Sequence, residues 1–237
     1  MSHMNTRAGD EPQRIRVWDL PTRIFHWGLV VLVLASIISG KIGGNLMDWH
    51  GRFGRAILGL ITFRIGWGLT GSTYARFASF FPTPARLKAY LRGDWNAPGH
   101  NPLGALSVFA LLGLLALQVA TGLTGNDDIA FRGPLFDLVG KALSDRLNGF
   151  HKLSVNVLFL FIALHVAAIL FYAHVKKNNL VKPMITGWKE HPQGRSATGG
   201  SLLALVVALL LAVAAIYVGS GAWLPPPPPI AAPANAW

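Results

Sequence analysis

The chain has 237 residues, 52% hydrophobic and 13% charged, with a formal net charge of +11. Soluble domains carry about a quarter charged residues, so this composition excludes a water-soluble enzyme and a disordered chain. There is no cysteine, which excludes disulfides, thiolate metal sites, iron–sulfur clusters held by this chain and C-x-x-C-H attachment of a prosthetic group. The surplus Lys and Arg flank long apolar runs, so membrane topology explains them and a nucleic-acid partner does not.

In chain order, residues 1–20 form an N-terminal segment whose Met1-Ser2-His3-Met4 reads as a tag remnant. A bilayer core about 30 Å thick needs about 20 apolar residues in a helix. Residues 24–42, 50–70, 102–124, 150–173 and 202–223 are the expected spans. The second is the weakest, because it carries Arg52, Arg55 and Arg64. Thr83-Pro84, residues 85–92 and Gly93 supply a cap, a first-turn proline and a glycine stop for a short helix. Residues 134–147 have amphipathic spacing, suited to a second short helix on the membrane surface, with a solvated loop helix as the alternative for both. The last span carries Ala204, Ala208 and Ala212 every fourth residue, a ridge of small side chains for packing another helix. Five prolines at 225–229 predict an extended tail.

Fourteen of the 21 Lys and Arg fall on the side of the N-terminus and seven on the other. The positive-inside rule therefore places the N-terminus in the cytoplasm and, after five spans, the C-terminus outside.

No Asp or Glu lies inside a span, but histidines do: His26 in the first, His50 opening the second, His151 and His165 in the fourth. Intramembrane ionisable residues are costly and read first as functional. Without carboxylates, a proton-driven pump or a hard-metal transporter is disfavoured; neutral imidazoles in an apolar bundle suit haem iron. His151 and His165 are 14 residues apart, hence about 21 Å along one helix and within about 40° of one face. Antiparallel spans then bring His50 to the level of His151 at the outer end and His26 to that of His165 at the inner end. Two bis-histidine haems follow. His100 is the rival of His26 as inner ligand, His174 is an inner boundary residue that could supply protons, and His191 sits in a polar loop. Gly54 lies one turn from His50 on the same face, leaving room for a flat macrocycle. Arg23 reads as an inner propionate partner or a positive-inside anchor. Arg64 reads as a propionate partner or a snorkelling side chain.

The ordered motifs Pro21-Thr22-Arg23-Ile24-Phe25-His26-Trp27, His50-Gly51-Arg52-Phe53-Gly54, Phe63-Arg64-Ile65-Gly66-Trp67, Gly99-His100-Asn101-Pro102 and His151-x₁₃-His165 resemble the membrane cytochromes b of nickel–iron hydrogenases and the related bacterial cytochrome b561 proteins. The likeness runs from about Arg14 to Lys189. It implies an all-α membrane protein in which a four-helix bundle holds two haems b through His26, His50, His151 and His165. It further implies electron transfer between a periplasmic redox partner (a cytochrome c or a hydrogenase-like protein) and membrane quinone in the bacterial inner membrane. The quinone is expected near the inner haem, with Arg23, Trp27 and His174 nearest. The fifth span and its tail depart from the short family members and leave partner and homo-oligomerisation open. The expected division is residues 1–20, a di-haem domain at 21–190, a linker and fifth span at 191–223, and a periplasmic tail at 224–237. The alternatives are a stand-alone superoxide:quinone oxidoreductase, or a haem-free transporter or structural membrane subunit.

Overall fold

The computed structural model describes residues 13–129, 131–192 and 194–225; the expected tag remnant and all but the first residue of the proline tail lie outside them. Helix α1 (Leu20–Ile42) starts where the Asp19 carboxylate accepts a bond from Thr22 N at 2.7 Å, with Pro21 in the first turn. It stops at Gly43, whose φ of +70° suits a residue without Cβ. A 3-10 turn (Gly44–Leu46) reverses the chain into α2 (Met47–Thr70). Two short helices follow, α3 (Phe77–Phe80) and α4 (Pro84–Arg92); the second has the expected Thr83 cap and left-handed Gly93 stop. Asn101 caps α5 (Pro102–Leu123), accepting from Gly104 N at 2.7 Å. Helices α6 (Phe136–His174), α7 (Val181–Thr186) and α8 (Leu202–Gly219) complete the series.

Two expectations are corrected. Residues 134–147 do not form a separate surface helix: the backbone kinks at Gly140 (φ +69°), and from there one helix runs into the fourth apolar stretch. The reason is polar stitching to the end of α5. Ser144 Oγ donates to Thr124 O at 2.6 Å, Asn126 Nδ2 donates to Ser144 Oγ at 2.7 Å, and Asn148 Nδ2 donates to Asn126 O at 2.7 Å. These bonds draw the segment against the bundle. His191, expected in a loop, lies buried in β2 (Trp188–His191), which pairs antiparallel with β1 (Gln13–Arg16). Neither strand has an alternating pattern long enough to read from sequence; each forms only because the two chain segments flanking the helices meet.

Among the described residues four helices, α1, α5, α6 and α8, are long and apolar enough to cross a membrane. Helix α2 has their length but not their composition, since its arginines and glycines dilute the apolar run. It is nevertheless the hub, packed against α1, α5 and α8. One core cluster joins Phe25 of α1, Phe63 and Trp67 of α2 and Ala208 and Ala212 of α8; a second joins Ile57 and Ile61 of α2, Leu115 and Val119 of α5 and Leu158 of α6. The small-residue ridge of α8 faces small residues on α2. A Cβ on Gly66 would meet Ala208 Cβ at 3.3 Å, and one on Gly59 would meet Ile216 at 2.5 Å. Such close backbone approach is what drives helix association where lipid is as apolar as the partner.

Candidate functional site

Because α1 and α5 run away from the N-terminal end and α2 and α6 return to it, chemistry-bearing residues sort to two ends. His26, Arg64, His100 and His165 share the end where α1 begins, called proximal here, and His50 and His151 share the distal end.

At the distal end the rings of His50 and His151 stand roughly perpendicular, with centroids 6.1 Å apart and planes at 86°. Each ring is oriented by a backbone carbonyl. His50 Nδ1 lies 2.8 Å from Ser36 O, and His151 Nδ1 lies 3.0 Å from Gln118 O, with Thr121 Oγ1 at 3.1 Å. A carbonyl only accepts, so each Nδ1 carries the proton and each Nε2 keeps its lone pair for a metal. The rings line a cavity of about 450 Å³ with Ser36, Gly40, Gly54, Gln118 and Gly122. Gly40 and Gly122 let the helix backbones close on the imidazoles: a Cβ on Gly40 would meet His50 at 2.9 Å, and one on Gly122 would meet His151 at 3.1 Å. Gly54 differs, since a Cβ there meets nothing within 4 Å. Lys41 and Lys152 also line this cavity. The neighbouring Lys141 is tied up by Asp128 and Asp145, so the distal face concentrates less positive charge than a count of residues suggests.

The proximal end is built differently. Arg64 is 3% exposed, with its guanidinium 4.5 Å over the Phe77 ring and its Nη1 without a partner. His26 Nδ1 and His100 Nδ1 are buried and unpartnered as well, as are Arg23 Nε and Trp95 Nε1. His26, His165, His100 and Arg64 are near enough for their charges to interact. Asp19 is already engaged: Oδ2 accepts from Trp67 Nε1 at 2.9 Å and from Ser72 Oγ. Arg23 Nη1 donates to Ile185 O and Trp27 Nε1 to Met184 O at 3.2 Å, so both side chains dock α7 onto α1. His174 is exposed at the end of α6.

The donor chemistry fits haem iron. Two metal–nitrogen bonds of about 2 Å, with half an imidazole at each end, span about 6 Å, which the distal pair matches. Among the described residues no three His, Asp or Glu cluster as a metal cage needs. At the distal end the donors come as a pair, the number required of a protein when a porphyrin supplies the rest. Sequence reasoning missed Ser36, Gly40, Gln118, Thr121 and Gly122. The signal was present: Ser36 with Gly40, and Gln118 with Gly122, stand one turn apart on otherwise apolar helices.

Comparison with known proteins agrees. The probable Ni/Fe-hydrogenase B-type cytochrome subunit of Azotobacter vinelandii is 25% identical, over 77% of this chain and 93% of its own length. The probable Ni/Fe-hydrogenase 1 B-type cytochrome subunit of Escherichia coli K12 is 20% identical, over 76% and 92%. The corresponding Rhizobium leguminosarum protein is 22% identical, over 75% and 89%. No solved structure matches the chain. Residues 17–187, from just after β1 to just past α7, match the prokaryotic cytochrome b561 family, and this multi-pass membrane protein, a haem b electron-transfer protein in type, belongs to that family.

Proposed function

We propose that the chain binds two haems b, one between His50 and His151 and one between His26 and His165. In this reading it passes electrons between a periplasmic redox partner and the quinone pool of the bacterial inner membrane. The observation that carries the proposal is the distal pair: two imidazoles with free Nε2 atoms, held by backbone carbonyls at the spacing of a bis-histidine iron, beside a glycine-lined cavity. Haem bound at such sites supplies reversible one-electron chemistry, its potential tuned by axial ligands, burial and nearby charge.

The protein's own groups do the rest. Ser36, Gln118 and Thr121 fix the rings, and Gly54 leaves its face open for the macrocycle. At the proximal end Arg64 Nη1 and Arg23 Nε offer donors to propionates, because a buried charged nitrogen left without an acceptor is expensive. The reading counts α2 as a fifth span and takes this end as cytoplasmic by the positive-inside rule, with Trp27, Arg23 and His174 around quinone exchange and exposed His174 supplying protons. The relatives' printed names point to a hydrogenase as the redox partner.

A pyridine-haemochrome assay with protein quantification tests the count, and two haems per chain are expected. His165→Ala should remove one haem and leave the other's spectrum intact. A ratio of one or none, or loss of the same haem from His165→Ala and His50→Ala, would overturn the stacked pair.

A further inference from the structure

His100 sits between two aromatic rings, 4.6 Å from Trp18 and 4.4 Å from Phe80 by centroid, ahead of the α5 cap. Its Nδ1 is enclosed and has no partner. A buried ring nitrogen left unpaired costs about 1–3 kcal/mol, so the site is incomplete with the protein's own atoms. Burial and the nearby Arg64 charge push the His100 ring down to about 3, so it is neutral at physiological pH and still holds one N–H to donate. The orphan nearest in kind is Arg64 Nη1. The two stand on one wall, because α3 touches both: Phe77 lies under Arg64, Phe80 lies against His100, and the two phenyl rings are 5.9 Å apart. An N–H donor and a guanidinium, both dry and lacking acceptors beside His26 and His165, form a seat for one carboxylate. Asp19 cannot fill it, since its oxygens already serve Thr22, Trp67 and Ser72.

We infer that His100 is not an axial ligand but a hydrogen-bond donor which, with Arg64, binds a propionate of the proximal haem. The inference rests on the two-haem reading above. It differs from the ligand role because the ring is wedged between Trp18 and Phe80, tilted to each, with its Nδ1 enclosed and bonded to no carbonyl. The clamp also explains why His100 lacks the carbonyl anchor found on both distal ligands.

The test compares His100→Phe, which keeps the ring between Trp18 and Phe80 but removes the donor, with His100→Gln, which restores one. Readouts are haem per chain, the low-spin signal by electron paramagnetic resonance, and both midpoint potentials. His100→Phe is expected to keep two low-spin haems and lower one potential, since a propionate stripped of a donor leaves its negative charge less compensated. His100→Gln should recover most of that shift, and the other potential, an internal control for folding, should not move. Loss of one haem or a high-spin signal in His100→Phe would make His100 a ligand and overturn the inference. Unchanged potentials, or equal shifts in both variants, would reduce His100 to packing and overturn it as well. Failure of the underlying reading looks different, as a wild-type protein with fewer than two haems.

Discussion

At the distal end both imidazoles are anchored by main-chain carbonyls and a cavity stands open between α1, α2, α5 and α6. At the proximal end the arginine and two of the histidines bury nitrogens that bond to nothing in the protein. On the proposed two-haem reading, the same bundle contains a seat preorganised by backbone and a seat that its occupant completes. Carbonyl anchors come from helices whose hydrogen bonds already hold them in place, so they persist without a ligand. Unpaired donors act in the opposite sense. Each buried orphan costs about 1–3 kcal/mol until an acceptor arrives, so on that reading occupancy stabilises the proximal end.

The sharpest way to break this contrast is at the ligands. His151→Ala should remove one of two haems outright, with the remaining spectrum matching that lost in His165→Ala; the haemochrome ratio and difference spectrum report it. Gly54→Leu comes next. The substitution meets no protein atom at its Cβ, so the helices should fold unchanged while distal haem occupancy falls to about a tenth or less. Retention of full occupancy would mean the macrocycle does not lie against Gly54.

Haem removal separates the ends by stability. Hydrogen exchange on the haem-free protein should show opening around α3, the loop before α5 and the β1–β2 pair, with the distal halves of α5 and α6 still protected. Equal protection at both ends would contradict the contrast. Arg64→Leu should lower one midpoint potential by on the order of 50 mV, the effect of one charge at partial burial, and leave the other in place. The smallest effect belongs to Thr121→Val. His151 keeps its bond to the Gln118 carbonyl, so haem retention should weaken by less than about tenfold.

Much of this was legible in the sequence. Apolar runs located α1, α5, α6 and α8, and Thr83, Pro84 and Gly93 gave α4 to the residue, because span length and capping chemistry are local. The histidines sorted to two ends by rise per residue alone, since a helix converts spacing into depth. The place of α8 was half legible. Its alanine ridge foretold close packing, but that the ridge meets Gly59 and Gly66 of α2 depends on a partner chosen in three dimensions.

What the sequence by itself determined is therefore composition, span positions, the depth of each histidine and the family motifs, all properties of one helix at a time. Only the tertiary structure decided which carbonyl orients which ring, that residues 134–147 join α6 through Asn126 and Ser144, and that β1 finds β2 across most of the chain. It also decided which buried nitrogens lack an acceptor. The physical reason is common to all of these: a hydrogen bond or a void belongs to two or more elements at once, and no periodicity within a single element encodes its partner.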